Sequence, residues 1–132
     1  PLNTDSTLKG QTVFLAERCG ELIQDNIITD RTVFDVMAFT MNAKSIPYQD
    51  KEAFETYASE FVREYDYIFY ISPHGIEIED NGIRETDEHY RDLIDFTITT
   101  LIKRYGHKCN IVEKISGSTE ERIQQILKFT NL

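Results

Sequence analysis

Residues 26–40 read NIITDRTVFDVMAFT, a short apolar run that ends on an acid-base pair and is followed by a helical pattern. The first four residues predict a buried strand, and Asp30 and Arg31 would then lie at its carboxyl end. Apolar side chains resume at helical spacing directly afterwards, which predicts a helix over residues 33–42. The segment therefore predicts a strand, a charged turn and a helix in succession.

The rest of the chain alternates between helical and strand patterns. Helices are predicted over residues 5–24, 49–65 and 86–105, and strands over residues 67–72 and 109–115. A capping box at residues 118–121 predicts one more helix near the end of the chain.

Strands that alternate with helices indicate a parallel sheet with right-handed crossovers. We therefore predict one α/β domain over residues 1–132, a three-layer parallel sheet with helices on both faces. Three strands are few for the helices that would cover them, so we expect an N-terminal strand and its loop to be absent from this chain.

Composition narrows the class of ligand. The 132 residues are 40% hydrophobic, enough for one core, and 23 acidic against 14 basic residues give a net charge of -9. Fourteen acidic and four basic residues fall within residues 50–95, a pattern typical of solvated helix faces. This charge argues against nucleic acid as the main partner, because binding its backbone needs clustered Lys and Arg.

The same composition favours a protein of the cytoplasm. The chain has no apolar run of membrane-spanning length, so no membrane partner is expected. It has only two cysteines, Cys19 and Cys109, and no secretory leader precedes them, which favours a reducing compartment.

Four segments of the chain, taken in order, match the pattern of a known family. They are ITDRTVFDVMAFT at 28–40, YDYIFYIS at 65–72, IEIEDNGIRETDEHYRDLID at 76–95 and ISGSTEERIQQIL at 115–127. Together they resemble the AAA-type P-loop kinases related to ribosylnicotinamide and deoxynucleoside kinases. The resemblance implies a P-loop kinase-like fold and ATP-dependent phosphoryl transfer to a nucleoside, nucleotide or related small hydroxyl acceptor. The implied cofactors are ATP and Mg²⁺, and a homo-oligomer or a protein partner stays open.

The resemblance also assigns site residues. Asp30 would be the catalytic base, or would hold Mg²⁺ through water, and Arg31 would position the acceptor. Arg84 and Arg91 would reach the transferring phosphate from a lid-like segment, residues 73–91. The turn that borders the adenine ring would consist of Ser116, Gly117 and Ser118.

Taken without the resemblance, the same residues have simpler interpretations. Asp30 could cap the following helix with Arg31 as its surface partner. Arg84 and Arg91 could offset the acidic residues around them, and residues 116–118 could be only a turn and a helix cap.

One departure from the family pattern is large. P-loop kinases hold phosphates on the backbone of a G-x-x-x-x-G-K-[ST] turn, and none of the six glycines here is followed by Lys-Ser or Lys-Thr. We expect the loop to lie upstream, since the chain begins at Pro1 and not at Met. The alternative is a degenerate relative, a non-catalytic nucleotide- or protein-binding module of the same fold, so enzymatic activity depends on that loop.

Three other interpretations are weaker. Residues 77–88 place oxygen ligands at positions 1, 3, 5 and 12 of a calcium loop, but Glu replaces Asp at the first position and no helix precedes it. His74, His89 and His107 are widely spaced along the chain, so no zinc site is expected, although His74 could enter the active-site cleft. A phosphate-receiver domain ranks third, because the sequence lacks the Lys-Pro pair expected after its last strand.

Overall fold

The computed structural model describes residues 5–73 and 85–131, with side chains from residue 88 onward in the second range. In chain order the elements are α1 (Leu8–Leu22), α2 (Val33–Met41), α3 (Tyr48–Ser59), β1 (Tyr67–Ile71), α4 (Glu85–Tyr105), β2 (Ile111–Ile115) and α5 (Thr119–Thr130). Short 3-10 turns follow α3 at Glu60–Glu64 and α4 at Gly106–Lys108.

The two described strands form a parallel pair. Tyr67 pairs with Ile111, and the register runs on to Ile71 opposite Ile115. Because the strands are parallel, both end at the same edge of the sheet, and α4 makes the crossover between them. The chain is therefore an α/β protein with a small parallel sheet.

The predicted strand over residues 26–29 is wrong. Residues 27–29 have no regular secondary structure, Ile28 is 94% exposed, and Asn26 has a positive φ of 55°. A strand of a parallel sheet needs a hydrogen-bonding neighbour and cover on both faces, and the described residues give these isoleucines neither. Asp30 consequently does not end a strand, and a three-layer sheet is not confirmed because only two strands are described.

The predicted helices all form, with shifted ends. The helical pattern over 49–65 stops at Ser59, where the backbone tightens into the 3-10 turn Glu60–Glu64. The capping box of α5 is confirmed, since Ser118 Oγ accepts from Glu121 N–H and Ser118 N–H donates to Glu121 Oε1, both at 3.1 Å. Within the described residues, no helix combines the length and apolar character that crossing a membrane requires.

Helix α2 is the centre of the core. Its side chains Val33, Phe34, Val36, Met37 and Ala38 are at most 5% exposed. It packs against α1, α3 and α4. Thr32 caps its first turn: Thr32 Oγ1 accepts from Phe34 N–H at 3.1 Å, and Thr32 N–H donates to Asp35 Oδ2 at 2.9 Å. The start of α2 is thus fixed both by burial and by its cap.

A hydrogen bond to Tyr65 connects the start of α2 to the segment before β1. Its hydroxyl oxygen accepts a hydrogen bond from Val33 N–H at 3.2 Å, across 32 residues of sequence. Burial is the main cause that raises the pKa of Tyr65 to about 12.

Tyr65→Phe is expected to lower the free energy of unfolding by about 1–3 kcal/mol, because the Val33 N–H would lose its acceptor. Urea unfolding at neutral pH measures this, with Tyr57→Phe, at a side chain that is 63% exposed, as the matched control. The pKa of Tyr65 is higher in the folded than in the unfolded chain. The contribution of the protonated Tyr65 to the free energy of unfolding is therefore complete below pH 10, and it is lost as pH rises through about 12. Equal stability of the two variants would contradict the role of this bond.

Candidate functional site

A small cleft of about 70 Å³ opens between α1 and α2, next to the predicted Asp30-Arg31 pair. Helix α1 contributes one face and α2, with the residue before its cap, contributes the other. The lining side chains are Gln11, Phe14, Arg18, Arg31, Asp35, Val36 and Phe39. The cleft therefore combines charged, amide and aromatic groups in one small space.

Arg31 is held at the cleft by an aromatic ring. Its guanidinium carbon lies 5.8 Å from the ring centroid of Phe39, at cation-π distance. Phe39 in turn lies 6.4 Å from the ring of Tyr90 on α4. The Arg31 side chain is exposed, so its guanidinium can contact a ligand while it lies over the Phe39 ring.

Asp35 is the carboxylate of the cleft. Burial raises the pKa of the Asp35 carboxyl, while the hydrogen bond from Thr32 N–H and the nearby Arg31 act in the opposite direction. A desolvated carboxylate with a cationic neighbour in a cleft is typical of functional sites. Asp35 lies in the first turn of α2 and completes its helix cap, so the sequence alone does not distinguish it as a site residue.

Gln11 is the second polar group that the sequence did not reveal. Its side chain is 1% exposed, and its Oε1 accepts a hydrogen bond from Thr40 Oγ1 at 3.3 Å. This hydrogen bond joins α1 to α2 at the cleft, where the two helices pack against each other.

Charges in the cleft are balanced. Arg18 Nε lies 2.5 Å from Glu21 Oε1, so this guanidinium is already paired. The remaining opposite charges are those of Arg31 and Asp35.

The structure brings only part of the predicted site to this cleft. Arg31 lines it, and Asp30 is an exposed residue in the bend just before it. Arg91 lies on α4 with its Nη2 3.8 Å from Asp92 Oδ1, and it is not among the lining residues. Arg84 falls outside the described residues, as does much of the lid-like segment.

The segment predicted to border adenine, residues 116–118, forms a turn followed by the cap of α5. Gln125 pairs with both backbone groups of Ser116: its Nε2 donates to the carbonyl at 2.6 Å and its Oε1 accepts from the N–H at 3.2 Å. Gly117 has a φ of 100°, and Ser118 caps α5. These contacts fit the simpler interpretation, and a contact with adenine stays a prediction.

Magnesium could be accommodated without a preformed cage. Across residues 5–73 and the described part of 85–131, no group of three or more His, Cys, Asp or Glu side chains could hold a metal ion. Mg²⁺ in phosphate-transfer sites is held mainly by phosphates and water with one or two carboxylates, and the exposed Asp30 could be one of these. His74 and most of the calcium-loop candidate at 77–88 lie outside the described residues.

Comparison with protein families identifies the class. A family model described as an AAA domain matches residues 9–122, which is most of the chain. The chain therefore belongs to this AAA domain family, which is of the P-loop NTPase type, and members of such families generally bind a nucleotide with Mg²⁺. The comparisons with curated proteins and with solved structures gave no match. The resemblance is confirmed at the level of the P-loop class, and the kinase subfamily stays a prediction.

Proposed function

We propose that this chain carries the acceptor site of an enzyme that transfers the γ-phosphoryl group of ATP to a nucleoside, nucleotide or related small hydroxyl acceptor. The observation that carries the proposal is the cleft, which gathers Arg31, Asp35 and Gln11 beside Asp30 in a chain of a P-loop family. Such transfer depends on positioning and charge stabilisation more than on covalent chemistry. A pre-built polar cleft next to a free carboxylate suits that task.

The roles follow from position. Asp30, exposed and next in sequence to Arg31, would accept the proton of the acceptor hydroxyl or hold Mg²⁺ through water. Arg31, anchored on Phe39, would orient the acceptor. When bound, Mg²⁺ would offset the negative charge of the phosphates. Arg84, Arg91 and the Ser116–Ser118 turn keep the lid and adenine roles that the resemblance implies.

The transfer needs a phosphate-binding loop, which the printed 132 residues do not contain. The test compares the chain as printed with the chain extended by any coding sequence that precedes Pro1, using γ-labelled ATP and a panel of nucleosides and nucleotides. We expect label transfer only from a protein that includes a G-K-[ST] loop, and we expect removal of Mg²⁺ by a chelator to abolish it. A protein that has the loop and binds ATP, yet transfers label to no acceptor, would contradict the proposal.

A non-catalytic module of the same fold is the second candidate. It applies to a protein in which no phosphate-binding loop accompanies these 132 residues. It predicts binding of a nucleotide or a protein partner without turnover. The same assay separates the two, because binding would then be measurable while label transfer stays at background.

A further inference from the structure

We infer that the outer face of α3 binds an extended arginine- or lysine-rich segment of a partner protein. A shallow depression runs along this face, and the side chains that line it recur at helical spacing. They are Gln49, Glu52, Ala53, Thr56, Tyr57 and Glu60, the last from the 3-10 turn that follows α3. Such binding would take place outside the α1–α2 cleft, and it requires no phosphoryl transfer.

The outer face of α3 points away from the core. On the opposite side of the helix, Phe54 is 7% exposed and Ala58 is fully buried. From Gln49 to Glu60 the outer face is about 16 Å long, given the rise of an α-helix. An extended chain covers that length in about five residues, so the face has the size of a short linear segment.

Tyr57 presents an aromatic ring to the solvent within this depression. Its side chain is 63% exposed. The ring is held by Phe61, because the two ring centroids lie 5.3 Å apart with their planes at 85°. A guanidinium or ammonium group that lies over an exposed tyrosine ring gains a cation-π interaction, and arginine makes such contacts more often than lysine.

Glu52 supplies a carboxylate beside that ring. Tyr48 Oη donates to Glu52 Oε1 at 3.2 Å, and within the described residues Glu52 forms no ion pair. Glu60, at the end of the face, is already paired with basic side chains at 2.6 and 3.2 Å. Residues 48–64 contain five acidic and two basic residues, a net charge of -3, so this part of the surface attracts a cationic segment.

A filled example of the same arrangement lies at the end of α4. Arg104 Nη1 donates to Glu55 Oε1 at 3.0 Å, while its guanidinium carbon lies 5.9 Å from the ring centroid of Tyr105. Lys108 Nζ lies 5.4 Å from the centroid of the same ring. Tyrosine and glutamate therefore bind cations together in this protein, and across residues 5–73 and the described part of 85–131 no cation lies over Tyr57.

The charge of the outer face of α3 decides the class of its partner. Nucleic acid would be repelled, because its backbone is negatively charged. A second copy of this chain also has a net charge of -9, which opposes its approach. A basic protein segment would neutralise Glu52 and cover the Tyr57 ring at the same time.

The test is an NMR titration of the ¹⁵N-labelled protein, without ATP, with an eight-residue peptide of alternating Arg and Ser. We expect saturable shifts of the backbone amide signals of residues 49–60, and none with a peptide in which Glu replaces Arg. Raising NaCl from about 50 to about 300 mM should weaken binding, because the charges involved are exposed. Absence of saturable shifts on this face would overturn the inference.

Four variants test the assigned residues, all at exposed positions where the fold should survive. Tyr57→Leu removes the ring and should weaken peptide binding by about threefold, whereas Tyr57→Phe keeps the ring and should bind like the unmodified protein. Glu52→Gln should also weaken binding by about threefold. Glu17→Gln makes the same change of charge on α1, outside the outer face of α3, and should leave the affinity nearly unchanged.

Three further results would overturn the inference. Equal losses in Glu52→Gln and Glu17→Gln would assign the binding to overall charge. Full binding by Tyr57→Leu would remove the role of the ring. Concentration-dependent shifts of the same amide signals without peptide would mean that a second copy of the chain occupies the face. Because the titration contains no ATP, its result holds whether or not the protein transfers phosphate.

Discussion

Replacement of Phe34 by alanine is expected to lower the free energy of unfolding by about 3–5 kcal/mol, the range seen for buried aromatic residues. The Phe34 side chain is 1% exposed and belongs to the main core cluster. It lies on α2, which packs against three other helices, so the surrounding side chains cannot easily close the cavity that the ring would leave.

Denaturant unfolding measures this loss, with Phe96→Ala as the control. Phe96 is 69% exposed on α4, so its replacement should change stability by about 0.5 kcal/mol or less. A loss below about 1 kcal/mol in Phe34→Ala would mean that α2 is not the centre of the core. Because Asp35 follows Phe34 directly, a destabilised α2 should also weaken ligand binding in the cleft.

The helices could be predicted from the sequence because their signals are local. The start of α5 is marked by Ser118 and Glu121, a pair three residues apart that forms a capping box. At the start of α2 the sequence offered Asp30 as a possible cap, whereas Thr32 and Asp35 form the capping box. The end of α3 was less predictable. Its apolar spacing runs on to Tyr65, while the backbone already tightens after Ser59.

Residues 26–29 alone could not show whether this segment forms a strand. Ile27 and Ile28 have the same β-branched pattern whether or not another strand pairs with them. A strand is defined by its neighbour, and the described sheet holds only β1 and β2. Local pattern therefore predicted an element that the described tertiary structure does not form.

The candidate site likewise contains one residue that the sequence indicated and one that it could not indicate. Arg31 could be proposed from an acid-base pair that is adjacent in sequence. Gln11 could not, because it falls on the apolar stripe of α1 and is distinguished only by lying opposite Asp35, 24 residues later, in the same cleft. Packing of α1 on α2 creates that proximity, and a single sequence gives no register between two helices.

Asp30→Ala is expected to have the largest effect on the proposed activity. In a protein that includes the phosphate-binding loop, kcat should fall by about 10²–10⁴-fold, the usual contribution of a general base. Asp30 is exposed, so its removal should leave the fold intact. The apparent acceptor affinity should change much less than kcat, because Arg31, Asp35 and Gln11 still line the cleft.

Asp25→Ala is the matched control, since Asp25 is also an exposed aspartate in the segment between α1 and α2. It should retain nearly full activity, which separates a specific role of Asp30 from the general effect of removing negative charge. Steady-state phosphoryl transfer at saturating ATP, with the acceptor varied, gives kcat and KM for both variants. A loss below about threefold in Asp30→Ala would remove the assigned role, because a base in the transition state contributes far more. An equal loss in the two variants would assign the effect to overall charge, and the proton acceptor would then have to be sought inside the cleft, where Asp35 is the carboxylate that lines it.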